Sequence, residues 1–80
     1  MNLERMALEA QQLIDNELLT TTLAGIEKSA LDRAVNAKPA ENEIRASAMA
    51  DIRAVRSLTS KLQNLVEENA AKANRKGKPA

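Results

Sequence analysis

Between Ile44 and Val66 the apolar residues Ile44, Ala48, Ile52, Val55, Leu58, Leu62, Leu65 and Val66 return almost entirely every three or four positions. That is the period of one helix face, and a helix with such a stripe needs a surface to pack against. These eight residues are therefore the expected helix-packing interface. Within them Val55, Leu58, Leu62 and Leu65 follow 3-4-3 spacing, the pattern of a left-handed coiled-coil seam.

Upstream, the pattern predicts two further helices whose apolar faces do not line up. Leu3, Met6, Ala10, Leu13 and Ile14 centre near about 280° on a helical wheel, whereas Leu19, Leu23, Ile26, Ala30 and Ala34 centre near about 120°. One straight helix would expose one of the two faces, so a break is expected at Asp15-Asn16. Either residue suits an N-cap, and Glu17 suits the first turn that follows. Leu8 lies opposite the first stripe and should stay exposed unless a neighbouring chain covers it. The Thr20-Thr21-Thr22 run and Gly25 weaken the second helix.

Asn36-Ala37-Lys38-Pro39 is the strong turn signal, because Pro39 disfavours helical geometry at Lys38 and suits the first position of a new helix. The expected helices are residues 3–14, 17–35 and 39–72, with Glu41 and Arg45 as an i,i+4 ion pair on the third. Folding the second helix back on the third should bring Leu31 near Ile44, Ile26 near Ile52, Leu23 near Val55 and Leu19 near Leu58 or Thr59. The fold class is all-α: an antiparallel, coiled-coil-like hairpin with a shorter N-terminal helix. That first helix, or a second molecule, should cover Leu62, Leu65 and Val66.

Size makes association important. A chain of 80 residues buries a modest fraction of its surface, and with no His or Cys it has neither disulfides nor thiolate or imidazole metal sites. A homo-oligomer, or docking on a larger protein assembly, is the expected source of extra stability. Charge divides the chain in two. Residues 1–69, the hairpin domain, carry 8 basic and 11 acidic groups, net −3, while residues 70–80 hold Lys72, Arg75, Lys76 and Lys78 with no acid. Those residues are expected to be the end of the last helix and a flexible basic tail whose four cations serve either as a solubilising end without a specific partner or as a polyanion contact.

Candidate chemistry is sparse. Glu41 and Glu43, or Glu67 and Glu68, are close in sequence, but neighbours at i,i+1 and i,i+2 on a helix point apart and serve as solvated surface. Asp51 falls within the apolar arc of the third helix: if buried it would need a partner from Arg33 or Lys28 across the hairpin, and otherwise it sits at the edge of the stripe. No catalytic residue, cofactor, metal or small-molecule substrate is expected, so the chain is not read as an enzyme. Four phosphate contacts would give sequence-independent DNA binding, without aromatic side chains for stacking bases. A membrane role is not expected either: there is no spanning apolar run, and the first helix has one basic residue, Arg5, and no aromatic anchor. MNLERMALEAQQLI carries Glu4 and Glu9 and lacks the cationic start of a secretory signal, so a cytoplasmic location is expected.

The stretches LIDNELL, AVNAKPAENEIRA and DIRAVRSLTSKLQNLVEE together resemble small helical proteins encoded among the head-assembly and DNA-packaging genes of tailed bacteriophages. The likeness covers roughly residues 7–69, and Glu17 stands where such proteins often have proline. It implies a virus-encoded structural, assembly or interaction protein of the host cytoplasm or the virion, and it brings no catalytic residue. The alternative is a small DNA-binding accessory protein using the basic C-terminal tail.

Overall fold

The computed structural model describes the backbone of residues 2–77 and the side chains of residues 2–75. Those residues form three helices and no strand: α1 is Leu3–Ile14, α2 is Glu17–Asn36 and α3 is Asn42–Gly77. At about 1.5 Å per residue α3 alone spans roughly 54 Å, which accounts for most of the 61 Å long axis of the molecule. The radius of gyration is 17.5 Å, where a compact chain of this length would have about 12 Å, so the protein is a rod.

The first two helices are separated where their apolar faces change phase. Asn16 is the N-cap of α2, in extended conformation, and its side-chain oxygen accepts from the Leu19 N–H at 2.9 Å. Asp15 closes α1, its N–H donating to the Gln11 carbonyl while its carboxylate accepts from the Gln11 side-chain amide at 3.0 Å. The break turns both apolar faces toward the same long helix. Asn2 caps α1 in the same way, accepting from the Arg5 N–H at 2.8 Å.

Both α1 and α2 pack on α3. Asn2 and the early α1 residues Leu3 and Glu4 border Asn69, Lys72 and Ala73, while Ala7 and Leu8 border Val66, Asn69 and Ala70. Further on, Glu27 meets Arg56 and Arg33 meets Asp51, so numbers rise along α2 as they fall along α3. The core is narrow. Its buried members are Ala7, Ala10, Ala30, Ala48, Ile52 and Val55, with Ala34 packed beside Ala30, Ala48 and Ile52. Alanine at the contact lets helix backbones approach to the short end of the usual 8–10 Å range.

The level of this alanine cluster corrects one expected pairing. Leu31 and Ile44 were to meet, but they are 52% and 41% exposed, and Ala30 with Ala34 takes the inward position instead. The third helix also differs from its expected span. It starts at Asn42 rather than Pro39, because Pro39 and Ala40 lie in a turn closed by the Glu41 N–H donating to the Lys38 carbonyl. It continues to Gly77 rather than ending near residue 72. Ala70, Ala71 and Ala73 favour helix, and cations in the last turns suit the negative end of the helix dipole.

Candidate helix-packing surface

Of the eight expected packing residues, Ala48, Ile52 and Val55 are buried, Leu62, Leu65 and Val66 are half-buried, and Ile44 and Leu58 are exposed. The inward positions on α3 are Arg45, Ala48, Ile52, Val55, Thr59, Leu62, Val66 and Asn69, separated alternately by three and four residues. That sustained 3.5-residue average is the period of a coiled-coil seam. The intramolecular seam therefore steps through Thr59 and leaves Leu58 on its flank, with Leu65 half-buried beside Val66. Apolarity alone pointed to the leucines. Of the two alternatives expected opposite Leu19, Leu58 is exposed and Thr59 is half-buried; the Thr59 hydroxyl donates to the Val55 carbonyl at 3.0 Å and so brings no unpaired donor into the seam.

Asp51 finds one of its two expected partners. Arg33 donates from Nη2 to Oδ2 of Asp51 at 2.6 Å, while Lys28 lines a shallow concavity with Gly25, Ser29 and Asp32. Asp51 itself is about half exposed rather than buried, because it sits at the edge of the seam. Arg56 donates from Nε to Oε1 of Glu27 at 2.8 Å, an ion pair the sequence pattern did not single out. The two pairs lie on the same α2–α3 contact as the alanine cluster.

At the turn, the expected Glu41–Arg45 pair is replaced by something more specific. Oε1 of Glu41 accepts from the Lys38 N–H at 2.8 Å, reciprocating the backbone bond between the same residues. Arg45 folds over the turn and donates to the carbonyls of Ala37, Lys38 and Pro39, and to the Asn42 side chain at 2.6 Å. A guanidinium has enough donors for all four, and a lysine ammonium does not.

Of the proposed polyanion contact, Lys72 and Arg75 lie exposed on α3; the side chain of Lys76 and all of Lys78 fall outside the described residues. Positions 72, 75 and 76 share one helix face by their i, i+3, i+4 spacing. Glu4 borders the same concavity as Lys72, which places an acid beside that cation.

The concavities along the rod are shallow and open. One of them is lined by Leu23, Ile26, Asp51, Ala54, Val55 and Leu58, on the side of the α2–α3 pair that carries the Arg33–Asp51 bridge. Among the described residues, no group of three acidic side chains is placed to hold a metal ion, and no helix is long and apolar enough to cross a membrane. No protein-family model, curated protein or solved structure matches the chain.

Proposed function

We propose that this chain is a non-enzymatic structural or assembly protein that works through helix–helix packing: an antiparallel, coiled-coil-like hairpin that associates with other copies of itself. One observation carries this reading. Four of the six buried residues are alanine, while Ile26, Ile44, Leu58, Leu31 and other large apolar side chains remain more than 40% exposed along the rod. Burying apolar surface contributes about 25 cal/mol per Å², so the unused surface is the natural source of further stability. The likeness of LIDNELL, AVNAKPAENEIRA and DIRAVRSLTSKLQNLVEE to helical proteins of tailed bacteriophages supports a part in virion assembly, in the host cytoplasm or the particle.

Light scattering at rising concentration tests the proposal. The expected result is a mass that is a multiple of 8.7 kDa. A protein that stays at one chain mass throughout would overturn it.

A DNA-binding accessory role is the second reading, favoured by the exposed cations Lys72 and Arg75 on one face of α3. It predicts retention on DNA that weakens steeply with salt and ignores sequence.

A further inference from the structure

We infer that a second copy of this chain docks on the outer flank of α3, its own α3 running antiparallel, with the two-fold axis level with Arg56. This rests on the self-association proposed above and adds the face, direction and register.

Beside the inward seam, α3 carries a second set of positions spaced alternately by three and four residues: Ile44, Ser47, Asp51, Ala54, Leu58, Lys61 and Leu65. All are exposed except Leu65, which is half-buried. Ile26 of α2 extends the stripe, sharing a shallow groove with Asp51, Ala54 and Leu58. The stripe has the period of a coiled-coil face, and its polar members are one acid, one base and one serine. Serine is small, and on a helix its hydroxyl can return to the carbonyl four residues back, so a leucine can cover it without stranding a donor.

The two charges decide what fits. A parallel second copy in register would set Asp51 against Asp51 and Lys61 against Lys61, like charges at both places. An antiparallel copy centred at Arg56 sets Asp51 against Lys61, Ala54 against Leu58 and Ser47 against Leu65, and two-fold symmetry makes each contact twice. Acid then meets base and each leucine meets a small residue, so large side chains enter space left by small ones. Ile44 lies at the rim, level with Glu68, which is exposed and keeps its carboxylate in water. Sliding the pair by one heptad destroys the match. One direction sets Asp51 against Glu68; the other sets Lys61 against Ile44 and Asp51 against Ala54, which leaves both charges unpaired. Among these pairings the stripe complements itself in one, the antiparallel copy centred at Arg56, and such selection is how helix pairs gain specificity. Arg33 holds Oδ2 of Asp51, yet the carboxylate stays about half exposed and can accept a second cation.

The chain has no cysteine, so introduced thiols can be placed singly. Full-length Ser47→Cys and Leu65→Cys proteins are oxidised mildly, separately and as a mixture, with helicity checked by circular dichroism. A disulfide-linked dimer should form only in the mixture, since within each separate sample the two thiols of a pair lie roughly 27 Å apart along the axis. Cross-linking within either separate sample, or an oligomeric mass with no cross-link in the mixture, overturns the register while leaving self-association standing. A single-chain mass at all concentrations overturns both. Should Leu65→Cys fail to fold, Lys61→Glu, at an exposed position, still tests the pairing. It should weaken the dimer roughly tenfold through two like-charge contacts, and an unchanged dissociation constant would sink the proposal.

Discussion

Arg33 and Asp51 meet across α2 and α3 at 2.6 Å, at the level where Ala30, Ala48 and Ile52 form the tightest part of the core. Both side chains are nearly half exposed, so water screens the pair. At concentrations where the protein is a single chain, a double-mutant cycle with Arg33→Ala and Asp51→Ala should return a coupling of about 0.5–1 kcal/mol, smaller at high salt. A coupling several times larger would mean that the pair is desolvated, as a covering partner would make it.

The turn should be more sensitive to one arginine than to its length. Arg45→Lys keeps the charge but cannot reach three carbonyls and the Asn42 side chain together. Chemical denaturation should show a loss of about 1–2 kcal/mol. Full retention of stability would show that the guanidinium bonds are replaced by water at no cost.

Ala48 is fully buried, so the distance between α2 and α3 depends on its being small. Ala48→Leu should force the helices apart and lower stability by about 1–3 kcal/mol. The reverse kind of change is available at Gly25, where a Cβ would meet nothing within 4 Å and the backbone is helical. Gly25→Ala should add up to about 1 kcal/mol and raise the melting temperature by roughly 4–8 °C. A lower melting temperature would show that Gly25 lies against a surface contributed by another molecule.

For the DNA-binding reading, Lys72→Ala with Arg75→Ala removes the two cations with described side chains. On DNA at low salt the logarithmic salt slope should fall by about 2, equally for any sequence, with the helical spectrum unchanged. If the unaltered protein shows no salt-sensitive retention, that reading falls. Glu4, beside Lys72, provides an internal control, because Glu4→Gln should strengthen rather than weaken retention.

The sequence by itself determined that the chain is helical, because a three-to-four residue apolar period has one regular solution. It also determined where the first helix stops, since Asp15 and Asn16 stand where the apolar face changes phase and a capping side chain is at hand. What tertiary structure decided was which of two adjacent stripes on α3 turns inward. Leu58 is more hydrophobic than Thr59, yet Leu58 is exposed and Thr59 half-buried, because Ala48, Ile52 and Val55 set the row that faces α2 and Thr59 continues that row. Likewise Arg45 offers an ordinary i,i+4 partner to Glu41 in the linear pattern, and only the folded turn presents three carbonyls that bind it instead. Periodicity is local and can be read along the chain. The choice between neighbouring faces depends on which side chains another helix brings, and that is known only once the helices have met.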